Sequence, residues 1–327
     1  TNYTAYDSAR TLNPAASTPY KIEAIGTDIT VIADNDWTVT GPLHNILVED
    51  AENFNLTINA GITAKNEKGS IAGATYESVL AGVSASQIAS ETTKTVELDG
   101  VDVTFTLAET STLGAWDLST NAVSDQSGQV VHIDNTSIND VTITNNGTIW
   151  STENNAIEMD GTDIRGAATI TNTSTGTIQS DSTAIDEAAI AIKDTTGTIN
   201  ISNAGTITSK AQGILNKGAT IKSLTNTGTL STTGKGERVW SKAGIYNAER
   251  STVTTLNNNF GATLEGTDSY SSGVYNQDTI TSLSNAGTLQ GTGSDKSSGI
   301  YNLGTITTIT NSGNLASTGT GTGSIKK

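Results

Sequence analysis

A five-residue phrase recurs through the last two-thirds of the chain: Asn, any residue, Gly, then Thr or Asn, then Ile or Leu. It reads Asn145-Asn146-Gly147-Thr148-Ile149, Asn203-Ala204-Gly205-Thr206-Ile207 and Asn226-Thr227-Gly228-Thr229-Leu230. It returns as Asn285-Ala286-Gly287-Thr288-Leu289 and Asn311-Ser312-Gly313-Asn314-Leu315, with looser copies from Asn172 to Ile178 and from Asn259 to Leu264. The glycines at 147, 176, 205, 228, 261, 287 and 313 are separated by 29, 29, 23, 33, 26 and 26 residues. A period in the twenties to low thirties is that of a solenoid, in which each repeat buries its apolar face against its neighbours.

The composition fits. Hydrophobic residues make up 34% of the 327, too few for a thick globular core but enough for one thin apolar column per strand. The regular Ile and Leu positions argue against disorder, which has no use for apolar periodicity. Net charge is −16. Residues 1–128 hold 17 acidic and 5 basic groups, and residues 129–327 hold 16 and 12. Neither part forms a basic patch, which speaks against nucleic acid and against an anionic membrane surface as partners. Cysteine is absent. A reducing compartment permits that, but the favoured reading is a secreted bacterial protein that crosses two membranes unfolded, because a periplasmic disulfide would block such passage. No apolar run approaches the roughly 18 residues of a spanning helix. The first residue is Thr1, with no Met and no apolar signal region, as expected of a mature or trimmed product.

The best-formed repeats run from Gly213 to Ser317. One unit is Gly299-Ile300-Tyr301-Asn302, then Thr305-Ile306, then Thr308-Ile309-Thr310-Asn311, then Asn314-Leu315. These are very short strands separated by Asn, Gly or Ser turns, residues that take left-handed backbone positions at low steric cost. Alternation along each strand predicts three inward columns. The first holds Ile214, Ile245, Val274 and Ile300, and the second Leu224, Leu256, Leu283 and Ile309. The third holds Ile207, Leu230, Leu264, Leu289 and Leu315. Two structural Asn ladders are expected beside them: Asn203, Asn226, Asn285 and Asn311, and Asn216, Asn247, Asn276 and Asn302. A buried amide can bond the amide above it and the backbone of its own turn.

Residues 1–130 read as the start of the stack and its cap, and 131–327 as the regular repeats. The first part lacks the clear motif but still looks like strand, as in Ile29-Thr30-Val31-Ile32 and Leu56-Thr57-Ile58. A stack needs an end that covers its open apolar cross-section. Thr95 to Phe105 is a hairpin signal with Asp99-Gly100 at its tip. Val79, Leu80, Val83 and Ile88 lie near helical spacing, so about 66–110 reads as an excursion from the stack holding a short helix.

The unit Gly-Ile-Tyr-Asn-x-Gly-Thr-Ile at 299–306, followed by Ile-x-Asn-x-Gly-x-Leu at 309–315, resembles the passenger repeats of bacterial autotransporters, most closely the adhesin-like members. The likeness covers about residues 135–317. It implies an all-β, right-handed parallel β-helix, exported by type V secretion through the outer membrane and displayed on the bacterial cell surface or released. Such proteins carry a C-terminal translocating β-barrel, which this chain lacks; its last residues form a Thr/Gly tail. The implied function is adhesion to a host-cell protein or glycan, or pairing with a copy on a neighbouring cell, with biofilm formation and virulence as consequences.

Residues that could carry chemistry are few, and the expectation is no enzyme, no cofactor and no metal. The Gly-Asp-Ser-Gly motif of the protease branch of that class is missing, and the two histidines, His44 and His132, sit beside no recognisable Ser motif. Gly82-Val83-Ser84-Ala85-Ser86 lacks the last Gly of an esterase elbow, and Gly228 to Lys235 lacks the spacing and the hydroxyl of a phosphate loop. Asp34 with Asp36, Asp160 with Asp163, and Asp186 with Glu187 are candidate carboxylate pairs for a polysaccharide-cutting β-helix, weighed against plain solvated turns. Asp160-Gly161-Thr162-Asp163 is a weak calcium candidate without the calcium β-roll nonapeptide, and separated histidines without Cys disfavour zinc.

The binding candidates are Tyr246, Tyr275 and Tyr301, placed on the outward side of their strands. They read either as a rigid exposed contact surface or as a shield for neighbouring backbone. The loop from Thr232 to Lys242 adds Lys235, Arg238, Trp240 and Lys242. The leading expectation is an adhesive rod. The alternatives are a polysaccharide-acting enzyme and a passive spacer.

Overall fold

The computed structural model describes residues 3–41, 43–68, 93–98, 101–106, 127–234, 242–318 and 325–326. The chain winds as a right-handed parallel β-helix of nine coils, each contributing a strand to each of three faces. No helix occurs among the described residues. In coils 1 and 2 a single bent strand, Tyr20–Ala33 or Ile46–Ile58, serves the first and second faces together. Later coils divide the work, as in Lys242–Asn247 on the first face, Thr252–Asn258 on the second and Thr263–Gly266 on the third.

Parallel pairing in strict register stacks like on like at about 4.8 Å per coil. On the first face Ile214, Ile245, Val274 and Ile300 align, on the second Leu224, Leu256, Leu283 and Ile309, and on the third Ile207, Leu230, Leu264, Leu289 and Leu315. Most of these side chains are buried, and together with their equivalents in coils 1–5 they form one continuous core. The cover fails at coil 9, where inward-facing Ile309 is 39% exposed.

The long Asn ladder runs through Asn145, Asn172, Asn203, Asn226, Asn258, Asn285 and Asn311, each Nδ2 donating to the Oδ1 of the next at 2.7–2.9 Å. The short ladder joins Asn216, Asn247, Asn276 and Asn302 at 2.8–2.9 Å. The member from coil 7 is Asn258, one residue before the Asn259 that the motif suggests, because Gly261 lies in a longer turn at φ 80°. Each ladder starts above an apolar side chain, Ile58 or Ile192. That leaves the Oδ1 of Asn145 and of Asn216 buried without a partner.

The motif glycines also need a different explanation from the one sequence suggests. Gly147, Gly176, Gly205, Gly228, Gly287 and Gly313 do not have positive φ. A Cβ on Gly205, Gly228 or Gly313 would fall on the carbonyl oxygen of the equivalent glycine one coil earlier, so close stacking of backbone on backbone excludes a side chain.

The N-terminal part belongs to the same stack. Ile46–Ile58 pairs directly with Val131–Asp134 and Asp140–Asn145, so coil 3 lies on coil 2 and the segment between them is an insertion. Thr63–Glu67 is still a third-face strand, so the excursion expected over about 66–110 begins after it. Thr93–Leu98 and Val101–Thr106 form the expected antiparallel hairpin, with Leu98 opposite Val101. The expected helix around Val79 to Ile88 lies outside the described residues. Thr4–Tyr6 and Arg10–Leu12 add strands beneath coil 1.

Candidate functional site

The outward positions of the first face form one longitudinal column that includes Leu47, His132, Glu158, Ala191, Leu215, Tyr246, Tyr275 and Tyr301 in register. Two clusters on it have chemical potential: the tyrosines, and a set of buried polar groups around Glu158.

The tyrosines stack as their register dictates. Tyr246 and Tyr275 have ring centroids 4.7 Å apart at 15°, and Tyr275 and Tyr301 are 5.3 Å apart at 41°. The reading as an exposed contact surface is corrected: Tyr275 is 1% and Tyr301 8% exposed, and Tyr246 is half-buried. Rings spaced by one coil hide each other's faces. Gln277 bridges their edges, accepting from the Tyr246 hydroxyl at 2.7 Å and donating to that of Tyr275 at 2.5 Å. Burial pushes both phenols up, Tyr275 to about 12 and Tyr246 further. An unfolded tyrosine ionises near 10. The neutral rings therefore stabilise the fold fully below that pH, and the contribution is lost as pH rises through the folded values. In an ultraviolet titration, the tyrosinate of Tyr275 is expected at about 12 in the folded protein. Ionisation of Tyr275 near 10 without unfolding would contradict this packing.

Lys242 is also corrected. It is buried at 5% exposure and donates from Nζ to the carbonyl oxygens of Thr183 at 2.6 Å and Lys210 at 2.9 Å, so it fastens earlier coils rather than facing a ligand. Lys235, Arg238 and Trp240 lie outside the described residues.

The polar cluster was not foreseen. Glu158 is 4% exposed and accepts from Gln129 Nε2 at 2.6 Å and from Asn155 Nδ2, and pairs with Lys193 Nζ at 3.1 Å. Burial works to raise its pKa, but Lys193 and the hydrogen bonds prevail and hold the carboxyl below its ordinary range. Asp160 and Glu187 nearby are pushed up, chiefly by burial, and Glu187 Oε2 has no hydrogen-bond partner. One coil below Glu158, His132 Nδ1 lies 3.1 Å from His44 Nε2, with the rings edge to face. His44 Nδ1 accepts from the backbone N–H of Gln129 at 3.2 Å. A backbone N–H only donates. His44 therefore carries its proton on Nε2 and gives it to His132 Nδ1, which leaves His132 protonated on Nε2. That nitrogen is buried without a partner. Eighty-eight residues separate the two histidines, so no local pattern announces the pair.

Of the candidate carboxylate pairs, Asp34, Asp36, Asp163 and Asp186 serve turns and surface contacts, whereas Asp160 and Glu187 belong to the buried polar cluster. Asp34 accepts from Asn13 at 3.3 Å and from Asn59, and Asp36 from the backbone of Thr63 at 2.8 Å. Asp163 accepts from Thr196 at 2.7 Å, and exposed Asp186 pairs with Lys217 at 3.2 Å. Among the described residues no group of three His, Asp or Glu side chains is arranged to hold a metal ion. The same residues contain no helix long and apolar enough to cross a membrane.

A third surface is larger than either cluster. On the second face two adjacent outward columns run the length of the stack. One passes through Thr30, Asn55, Thr142, Thr169 and on to Thr308, and the other through Ile32, Thr57, Thr144, Thr171 and on to Thr310. Apart from Ile32, every position is Thr, Ser or Asn, and none is charged. No protein-family model, no curated protein and no solved structure matches this chain. The candidate surface therefore rests on its own geometry: a regular lattice of hydroxyl and amide groups on a rigid sheet.

Proposed function

We propose that this chain is the adhesive passenger of a bacterial autotransporter, displayed at the cell surface, and that its uncharged second face holds cells together by pairing with the same face of another copy. One observation carries the reading: a chain of net charge −16 keeps two columns on nine coils free of charge. Two such faces can approach without direct Coulomb repulsion. Hydroxyls and amides both donate and accept, which makes the lattice complementary to itself. Two columns over nine coils cover roughly 40 Å by 14 Å, or about 550 Å² per copy. A standard stable interface takes about 800 Å² per partner. Each contact is accordingly weak, and adhesion comes from many copies acting together.

The test is charge placement. Cells or beads displaying the Thr171→Glu/Thr225→Glu variant are expected to need at least about tenfold more displayed protein to clump, because facing like charges cost several kcal/mol. Pairing that population with one carrying Thr171→Lys/Thr225→Lys is expected to restore clumping. Undiminished clumping by a folded double-Glu variant would reject the face. Clumping absent from the unmodified chain, with attachment to host cells instead, would shift the reading to a host ligand. The polysaccharide-acting alternative draws no support from Asp34, Asp36, Asp163 and Asp186, which are engaged in turns and surface contacts.

A further inference from the structure

We propose that His44 and His132 form an acid-sensitive latch between coils 2 and 3, fastening the N-terminal coils to the rest of the stack where the inserted segment leaves and returns. His44 lies just before the coil 2 strand and His132 within the coil 3 strand. The chain of bonds Gln129 N–H to His44 Nδ1 and His44 Nε2–H to His132 Nδ1 crosses that junction. The hydroxyl of Tyr3 accepts from the backbone N–H of His44 at 3.0 Å and its ring stacks on the imidazole, so the strand beneath coil 1 is tied to the same point.

Both protonation sites that remain on the pair are already acceptors. A proton on His44 Nδ1 would face the N–H of Gln129, and a proton on His132 Nδ1 would face the N–H of His44. Either places two donors opposite each other in a buried site, so each proton gained breaks one bond of the latch. The surrounding charges nevertheless attract protons. Glu158 lies directly above His132, with Asp134 and Asp160 at the ends of the adjoining strands. Lys193 is the cation on this side and is engaged with Glu158. Below His132 the column continues with uncharged Leu47, and Lys21 beneath it pairs with Glu23 and Glu49. Glu158 offers no ready compensating bond, because Gln129, Asn155 and Lys193 occupy its oxygens.

The sign follows. Burial holds His44 well below the ordinary histidine value of 6.5, whereas the unfolded chain takes up that proton normally. The stabilisation is complete above 6.5 and is lost as pH falls below it. Glu158, held below 4.5, adds a second loss only at lower pH. Asp160 and Glu187, pushed up by burial, change stability in the opposite sense as pH falls, so a loss between about 6.5 and 5 is that of His44.

Hydrogen–deuterium exchange on the full chain at pH 7.5, 6.5 and 5.5, corrected for intrinsic rates, tests this. Protection in Tyr20–Ala33 and Ile46–Ile58 is expected to fall by up to about tenfold per pH unit below 6.5, while Thr252–Asn258 and Thr279–Asn285 keep theirs. His44→Gln, which cannot titrate, is expected to flatten the response, and His44→Asn serves the same purpose should the first variant fold poorly. Glu158→Gln is expected to leave the response above pH 5 in place. Equal losses in both regions, or an unchanged response in a folded His44 variant, would overturn the latch. So would an imidazole signal of His44 that titrates near 6.5 while the stack stays intact.

Discussion

Asn226→Ala is expected to destabilise the protein by about 3–5 kcal/mol, although it removes no charge and little apolar surface. Asn203 Nδ2 loses the Oδ1 it reaches at 2.8 Å, and Asn258 Oδ1 loses a donor at 2.9 Å. The carbonyl oxygens of Gly228 and Thr263 lose the same amide at 3.2 and 2.9 Å. Each of the four lost bonds is worth about 1 kcal/mol net, and Asn258 Oδ1 adds the cost of a buried acceptor that has lost its donor. Asn203 Nδ2 keeps the carbonyl oxygens of Gly205 and Thr229, and the Gly228 oxygen keeps the N–H of Thr263. Asn311 is the informative contrast. It is the exposed top of the same ladder, where water replaces a lost bond, so Asn311→Ala should cost less than about 1 kcal/mol. Urea unfolding of the two variants side by side decides the matter. Similar midpoints would mean that the ladder contributes nothing as a cooperative unit.

Gly228→Ala should rank with it, at about 3 kcal/mol or more. The added Cβ would fall on the carbonyl oxygen of Gly205 and lie 2.6 Å from the carbonyl carbon of Ala204. Those obstacles are backbone, so no rotamer change relieves them, and coils 5 and 6 must separate locally. Overpacking a close-fitted site typically costs 1–3 kcal/mol, and this one is bounded by main chain. Gly26→Ala supplies the control. That glycine has φ 63° but nothing within 4 Å of a Cβ, so it bears only the left-handed penalty of about 1–2 kcal/mol. Should the two glycine variants melt alike, close stacking would not be what keeps Gly228 a glycine.

The inward columns were legible because a strand writes its two faces at alternate positions, and register then stacks like on like. Coils 1 and 2 obey the same geometry with different fillings. Ala33 and Ile58 occupy the positions where Asn145 begins the long ladder, and Trp37 and Ala64 hold the third-face column later filled by Ile and Leu. Apolar groups fill such positions as well as paired amides do, so the motif disappears while the coil persists. The outward side of Tyr246, Tyr275 and Tyr301 was readable, but their burial was not, since it depends on ring spacing and on Gln277. The slip from Asn258 to Asn259 arose in the one copy whose turn carries Phe260 and a left-handed Gly261. The contact between His44 and His132 spans the whole insertion, beyond the reach of any local signal.

The point at which that insertion joins the stack has a consequence for how such a chain can diversify. Gly128 N–H donates to the side chain of Asn66 at 2.7 Å, and Lys68 N–H to that of Thr152 at 2.8 Å. Departure and return are thus neighbours, already tied together by the coils beneath and above. Closing a loop whose ends are so fixed costs only about 0.6 kcal/mol for each doubling of its length. The junction is therefore a socket: cassettes of quite different size can be exchanged there while the rod that carries them is left undisturbed.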